Sequence, residues 1–205
     1  MTRRVSVVLF DGFELLDVCG PVELLSHVDG ITLDFVGPEV GLASSAQSLR
    51  MECRRSFQEL SQEPVDILLV PGGPGTRGLV NDAPFLAWLT EVGTRARLVV
   101  SVCTGSALFA AAGLLEGYRA TSNKAAFEWA RTFGQKVAWQ REARWVEDRD
   151  RWTSSGVAAG MDMAAALIAS LCGTEARDRA LAKAEYTAHT NSDSDPFAAA
   201  PPLLP

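Results

Sequence analysis

Cys103 is the residue whose local sequence points most clearly to chemistry. It follows an apolar run at 98–102, broken only by Ser101, and precedes the small residues CTGS at 103–106 and an Ala/Leu-rich run at 107–115. A strand that turns directly into a helix forms an elbow that exposes the residue at the bend. The free N–H groups of the first helical turn then lower the thiol pKa from about 8.5 to between about 3.5 and 7.5. The sequence therefore predicts a nucleophilic Cys103, the alternative being a buried structural cysteine.

A glycine pair, Gly72 and Gly73, is the second candidate for chemistry. It lies in the sequence PGGPG at 71–75, directly after the apolar run 65–70. Glycine allows a backbone N–H to approach a reacting atom closely. We therefore expect the N–H groups of this pair and of Thr104 to form an oxyanion hole, unless the pair only turns the chain. No GxGxxG or GK[ST] pattern follows, so we predict neither a phosphate loop nor a cofactor.

The elements that must position these residues alternate along the chain. Apolar runs predict strands at 4–10, 31–36, 65–70, 98–102, 120–122, 137–139, 144–147 and 151–153, with a hairpin within 40–57. Helical patterns predict helices at 21–27, 83–96, 107–115, 125–133, 157–172 and 174–186. This alternation is typical of an α/β fold with a doubly wound, mostly parallel sheet flanked by helices. In such sheets, functional residues lie at the carboxyl ends of the strands.

The composition indicates one globular domain and excludes several classes of partner. A length of 205 residues with 47% hydrophobic residues suits a single core, which we assign to 1–188, followed by an extended C-terminal arm at 189–205. A net charge of −6 argues against binding to nucleic acid or to an anionic membrane surface. The apolar run from Val5 is too short for a signal peptide.

The cysteines and histidines indicate the compartment and the absence of a metal site. Four cysteines without CxxC spacing are too few for a disulfide scaffold and favour a reducing cytoplasm. His27 and His189 show no spacing typical of metal ligands, so we predict no metal.

Two stretches around Cys103, VVSVCTGS at 99–106 and AAGLLEGYRAT at 111–121, resemble the nucleophile elbow of the DJ-1/PfpI (ThiJ/PfpI) superfamily. The resemblance covers nearly the whole chain and is closest to the isonitrile hydratase-like branch. It implies a flavodoxin-like fold, also described as class I glutamine-amidotransferase-like, with the reactive cysteine at Cys103.

The resemblance also implies a proton carrier. The sequence FELLDVCGP at 13–21 is similar to the xxLDxxGP stretch of that branch, whose aspartate, here Asp17, lies beside the cysteine sulfur. In the other large branch a glutamate two or three residues earlier has this role, so Glu14 is the alternative. From the residues alone, Asp17 can also be the N-cap of a helix that begins near Pro21.

Asn123 stands where many members of the superfamily carry a histidine. Peptide or amide hydrolysis needs a base for the thiol and an acid for the leaving amine, so this departure argues against a protease or amidase. Asn123 can still bind substrate by hydrogen bonding, or cap a helix that begins at Lys124.

The resulting functional hypothesis is cysteine-dependent hydration of a small-molecule electrophile. Cys103 attacks the terminal carbon of an isonitrile to give a thioimidate, Asp17 carries the proton, and water releases an N-substituted formamide. A glyoxalase-type reaction on α-ketoaldehydes remains an alternative. A non-catalytic redox sensor is another, because exposed thiols of low pKa oxidise readily.

The C-terminal sequence predicts a homodimer. SGVAAGMD at 155–162 resembles the GxxAGxD segment of the hydratase-like branch, and AEY at 184–186 with DPF at 195–197 resembles its tail, which takes part in the dimer. An apolar arm around Phe197, with Pro201, Leu203 and Leu204, is costly on a monomer. We expect light scattering to give about twice the chain mass of 22.0 kDa at micromolar concentration, and a mass of one chain would contradict the prediction.

Overall fold

The structure is a computed structural model that describes residues 2–199, in which seven of the strands form one central sheet. The strands are β1 (Arg3–Val8), β2 (Ile31–Gly37), β3 (Gly41–Ser44), β4 (Arg50–Cys53), β5 (Arg55–Ser56), β6 (Ile67–Val70), β7 (Leu98–Ser101), β8 (Arg119–Ala120), β9 (Ala138–Trp139), β10 (Trp145–Asp148) and β11 (Arg151–Ser154). The helices are α1 (Leu15–Ser26), α2 (Phe57–Leu60), α3 (Thr76–Leu79), α4 (Ala83–Arg95), α5 (Gly105–Ala111), α6 (Phe127–Ala130), α7 (Ala159–Cys172) and α8 (Thr174–Lys183).

The central sheet confirms the predicted α/β architecture. Its order is β10-β11-β7-β6-β1-β2-β5, and its β10–β11 pair is antiparallel while the others are parallel. The strands β6 and β7 are apolar and almost fully buried, as expected for strands covered on both faces. Helices α1, α7 and α8 pack against one another, and helices α3 and α4 pack against α5.

The sheet order determines which loops meet. Strand β6 lies between β7 and β1, with Val70 paired with Ser101 and Leu69 paired with Val7. The loops after these three parallel strands therefore emerge at the same edge of the sheet, at their carboxyl ends. These loops carry Cys103, Gly72 with Gly73, and the segment that leads to Asp17.

Helix α1 begins six residues earlier than the sequence predicted. Glu14 occupies the N-cap position with extended backbone, and Pro21 lies inside the helix rather than in its first turn. Proline in a helix interior removes one backbone hydrogen bond. Burial of Val18, Gly20 and Pro21 offsets that loss, with Gly20 packed directly against Met161 of α7. Asp17 is consequently a residue of the first turn, and its interpretation as an N-cap is wrong.

Two short strand pairs lie outside the central sheet. The hairpin expected within 40–57 forms as β3 and β4, and Ser45 bridges to Phe13 in the loop after β1. The segment 137–139 does not return to the main sheet as predicted, because β9 pairs with β8 instead. A strand of two residues forms few backbone hydrogen bonds with its neighbour. Its sequence pattern is therefore too short to predict which strand it pairs with.

The C-terminal tail packs against its own domain, contrary to the predicted extended arm. The carbonyl of Ser192 accepts hydrogen bonds from the backbone N–H of Arg144 (2.7 Å) and of Trp145 (3.3 Å). The N–H of Asp195 donates to the carbonyl of Glu142 at 2.8 Å. Phe197 is 63% exposed, and Pro201, Leu203 and Leu204 lie outside the described residues.

A buried ion-pair network anchors this tail. Arg144 donates from Nε and Nη2 to Asp162 Oδ2, at 2.6 Å in each case. Asp162 Oδ1 accepts from the Tyr186 hydroxyl at 2.7 Å and from the His189 N–H at 2.8 Å. Asp195 Oδ1 lies 3.7 Å from Arg144 Nη1. The motifs around 155–162 and 184–197 thus meet in one network that holds α7, β10 and the tail together.

Asp162→Asn should destabilise the protein by about 3 to 5 kcal/mol, because it leaves the buried Arg144 guanidinium without its strongest counter-charge. Urea unfolding at neutral pH measures this loss. Asp178→Asn is the matched control, since its ion pair with Arg177 is at the surface and its removal should cost less than about 1 kcal/mol. Equal losses in the two variants would contradict the anchoring role.

Candidate active site

Cys103 occupies a strained bend between β7 and α5. Its φ of 58° lies in the left-handed region, which costs a non-glycine residue about 1–2 kcal/mol. Hydrogen bonds hold both backbone groups in place: the N–H donates to the carbonyl of Ser155 (3.1 Å), and the carbonyl accepts from the hydroxyls of Ser106 and Ser122, each at 3.1 Å. The surrounding structure therefore imposes this conformation and fixes the position of the sulfur.

The Cys103 thiol is buried, with 5% of the residue exposed. Burial raises the pKa of the Cys103 thiol above its ordinary value, and the adjacent Asp17 carboxylate raises it further. The expectations of an exposed sulfur and of a pKa lowered by the helix N-terminus are therefore wrong for the free protein. Desolvation of the charged form outweighs the attraction from the start of α5, which has only seven residues.

Three hydrogen-bond donors nevertheless face the Cys103 sulfur. They are the backbone N–H groups of Thr104 and Val157 and the side-chain amide of Asn123, and each lowers the thiol pKa against the effect of burial. Val157 follows β11 with a φ of 29°, a second strained position at this edge of the sheet. Negative charge that forms on the sulfur is therefore stabilised by donors that are already in place.

Asp17 lies beside the Cys103 thiol, with none of its side chain accessible to solvent. Its Oδ2 accepts a hydrogen bond from the Gly72 N–H at 2.8 Å, whereas Oδ1 has no well-formed hydrogen bond within residues 2–199. Burial raises the pKa of Asp17 to about 7, opposed by the Gly72 bond and helped by the charge of Glu14. The carboxyl group can thus gain or lose a proton near neutral pH.

Glu14, the alternative proton carrier, is held away from this role. Its Oε1 accepts from the Gln47 amide at 2.8 Å, and its backbone N–H donates to the carbonyl of Gly72 at 2.8 Å. The structure brings Asp17 to the thiol and leaves Glu14 at the half-exposed start of α1, where its charge acts on Asp17 from a distance.

The glycine pair does not form the predicted oxyanion hole in the free protein. The Gly72 N–H donates to Asp17, and the Gly73 N–H donates to Thr104 Oγ1 at 3.0 Å. A Cβ on Gly72 would lie 2.5 Å from the Thr104 nitrogen and 2.8 Å from Cys103 Cβ, so only glycine fits against the bend. The role of the pair in this structure is to position the carboxyl group and the bend.

Asn123 caps a turn and faces the Cys103 sulfur, while its hydrogen bond to substrate stays a prediction. Its Oδ1 accepts from the Ala126 N–H at 3.0 Å and caps the turn that leads into α6, while its amide nitrogen faces the Cys103 sulfur. A Cβ on Gly156 would collide with that nitrogen, so glycine at 156 makes room for it. Helix α6 itself begins at Phe127, later than predicted.

Sequence reasoning missed two groups that complete the site. The Val157 N–H is a backbone group, so no residue type in the sequence marks it. Its position after β11, the strand paired with β7, is the one signal that places it near Cys103. Thr76 Oγ1 donates to Thr104 Oγ1 at 3.1 Å, linking α3 to the bend. Within residues 2–199, no group of three or more His, Cys, Asp or Glu side chains is placed to hold a metal ion. No helix in that range is long and apolar enough to span a membrane.

Asp17→Asn should stabilise the fold increasingly as pH rises. The folded-state pKa of about 7 lies above the unfolded value of 3.8, so wild type loses stability as pH rises towards and through 7, whereas the asparagine variant does not. Between pH 5 and pH 8 the stability of wild type relative to the variant should fall by about 2 to 3 kcal/mol. Urea unfolding of both proteins at the two pH values measures this difference, and a pH-independent difference would contradict it.

Comparisons with known proteins agree with this geometry. Residues 3–170 match the model of the DJ-1/PfpI family. The chain is 31% identical over 195 residues to an isonitrile hydratase from Pseudomonas putida, covering 95% of this chain and 83% of that protein.

A solved ThiJ/PfpI family protein from Pseudomonas syringae superposes with a TM-score of 0.84 at 30% identity, covering 98% of this chain and 80% of the other. The HTH-type transcriptional regulator GbdR from Pseudomonas aeruginosa is 29% identical over 186 residues, which cover 84% of this chain and 48% of the regulator. The fold, the site and these matches together show that the chain belongs to the DJ-1/PfpI family.

Proposed function

We propose that this protein hydrates an isonitrile to an N-substituted formamide, with Cys103 as nucleophile and Asp17 as proton carrier. The observation that carries the proposal is the contact between a buried thiol and a buried carboxyl group whose pKa is raised to about 7. The similarity to the isonitrile hydratase over 95% of the chain supports the same reaction.

The Asp17–Cys103 pair carries one proton and one negative charge when Asp17 is ionised. Its neutral-thiol form interconverts with a thiolate beside a protonated carboxyl group without any change of net charge. The thiolate form is the nucleophile, and the Thr104, Val157 and Asn123 donors stabilise it. This internal transfer supplies a reactive sulfur although burial raises the thiol pKa.

In the first half of the reaction, the Cys103 sulfur bonds to the terminal carbon of the isonitrile. Asp17 delivers its proton to the same carbon, and the product is a thioimidate in which a carbon–nitrogen double bond remains. Thiol and isonitrile thus combine without loss of any group. Asp17 leaves this step as a carboxylate.

In the second half, the Asp17 carboxylate accepts a proton from water as the oxygen bonds to the thioimidate carbon. The remaining hydrogen of that water passes from the adduct oxygen to the nitrogen as the carbonyl forms, the carbon–sulfur bond breaks, and the proton held by Asp17 returns to the sulfur. The sum is addition of one water to the isonitrile. No amine departs, so the acid that peptide cleavage requires is not needed, and Asn123 in place of a histidine is compatible with the chemistry.

We further propose that the enzyme works as a homodimer in a reducing cytoplasm. Exposed Phe197 on the packed tail supports the dimer, and the four cysteines without CxxC spacing support the compartment. The glyoxalase and redox-sensor alternatives remain predictions. Burial of Cys103 does not favour the sensor, which relies on an exposed thiol of low pKa.

Purified protein incubated with an alkyl isonitrile should form the corresponding formamide, followed by NMR. Cys103→Ala should abolish turnover, whereas Cys172→Ala, the matched control at the end of α7, should leave it unchanged. Asp17→Asn should lower turnover by about 10² to 10⁴, the range for loss of a general acid–base group. Formamide formation by Cys103→Ala at the wild-type rate would exclude the proposal.

Alkylation of Cys103 by iodoacetamide separates attack from proton transfer in the same samples. In wild type the rate should rise with pH through about 7, as ionisation of Asp17 gives the pair its negative charge. In Asp17→Asn the inflection should move above the ordinary thiol range, because burial still raises the thiol pKa, and alkylation should survive at high pH while turnover does not. If Asp17→Asn keeps turnover within a few-fold of wild type, Glu14 rather than Asp17 is the proton carrier.

A further inference from the structure

Arg77 and Trp129 form a stacked pair next to the candidate active site. The guanidinium carbon of Arg77 lies 3.4 Å from the centroid of the Trp129 ring, within the range of a cation–π contact. Arg77 belongs to α3, which follows the glycine pair, and Trp129 belongs to α6, which follows Asn123. The stack therefore joins the two loop segments that flank Cys103.

Contacts along α3 relate Arg77 to the bend. Its neighbour Thr76 donates to Thr104 Oγ1 at 3.1 Å, and Thr104 follows Cys103 directly. Partial burial lowers the pKa of Arg77, and the negative charge that Cys103 can carry opposes this shift. The guanidinium is therefore within electrostatic range of the sulfur.

Within residues 2–199, the guanidinium of Arg77 makes no hydrogen bond or ion pair. Most arginines of the described chain pair with a carboxylate, but no carboxylate of residues 2–199 lies within 4.0 Å of the Arg77 guanidinium. Stacking on Trp129 uses the face of the guanidinium and leaves its in-plane N–H groups available. An arginine in this state is suited to bidentate binding of a carboxylate.

We propose that Arg77, oriented by Trp129, binds a carboxylate on the substrate, so that the substrate class is small isonitriles that carry a carboxylate. This inference rests on the proposed function. The protein has a net charge of −6, and the Asp17–Cys103 pair carries one negative charge, so both repel an anionic substrate. A carboxylate can therefore approach the sulfur only where a cation offsets this repulsion. The edge of Arg77 supplies the compensating charge beside the nucleophile.

Isocyanoacetate and its methyl ester test the specificity, because they differ in the carboxylate charge and share the reacting group. Wild type should favour the acid in kcat/KM, and Arg77→Met should lose about 10- to 100-fold on the acid and less than threefold on the ester, as expected for a hydrogen-bonded charge pair. Arg97→Met is the matched control, since Arg97 is 80% exposed and precedes β7 at the opposite edge of the sheet. Equal losses on acid and ester would overturn the proposal.

Alkylation provides a readout that does not depend on hydratase activity. Iodoacetate and iodoacetamide both form a thioether with Cys103 and release iodide, but only iodoacetate is an anion. The rate with iodoacetate divided by the rate with iodoacetamide, measured by intact mass and peptide mapping, should fall about tenfold in Arg77→Met. The same ratio should stay constant in Arg97→Met.

The two readouts separate the two proposals. Absence of formamide from either isonitrile would defeat the proposed function, while the alkylation ratio would still decide whether Arg77 attracts anions to Cys103. An unchanged ratio in Arg77→Met, or a Cys103 that neither reagent modifies, would overturn the role of Arg77.

Discussion

The burial of one carboxyl group, Asp17, against one thiol, Cys103, is the constraint on which the arrangement of the site depends. A carboxyl group without solvent either keeps its proton or receives hydrogen bonds, and Asp17 receives one, from the Gly72 N–H. The remaining cost appears as a pKa raised to about 7. Burial of Asp17 thus lowers the free energy of unfolding at neutral pH and keeps a transferable proton beside the sulfur.

Close packing of backbone against backbone makes this arrangement rigid. Gly72 has no side chain because the bend at Cys103 occupies that space, and Gly156 has none because the Asn123 amide does. The left-handed φ of Cys103 is balanced by hydrogen bonds from Ser106 and Ser122 and to Ser155. Strain at a reacting residue persists when its surroundings over-determine it in this way.

The electrostatics of the site follow from the same burial. The proposed reactivity of the pair depends on an internal proton transfer and on three donors that face the sulfur, rather than on an exposed thiolate. Addition chemistry suits such a pair, because one proton is given to carbon and later recovered from water. The relatives of this chain include an isonitrile hydratase and transcriptional regulators, so proteins similar to it differ in function.

Apolar runs and small residues at Cys103 were sufficient to predict the parallel sheet and the bend, since buried strands and strand-to-helix turns are encoded locally. The family resemblance of the stretch at 13–21 brought Asp17 into consideration. Local sequence did not predict its place in the first turn of α1, because Pro21 suggests a later start and only packing against α7 outweighs it. The direction of the thiol pKa shift, the occupied Gly73 N–H and the contribution of Val157 depend on which groups the sheet order brings together. Desolvation and charge proximity are properties of the assembled fold, so only the tertiary structure decided them.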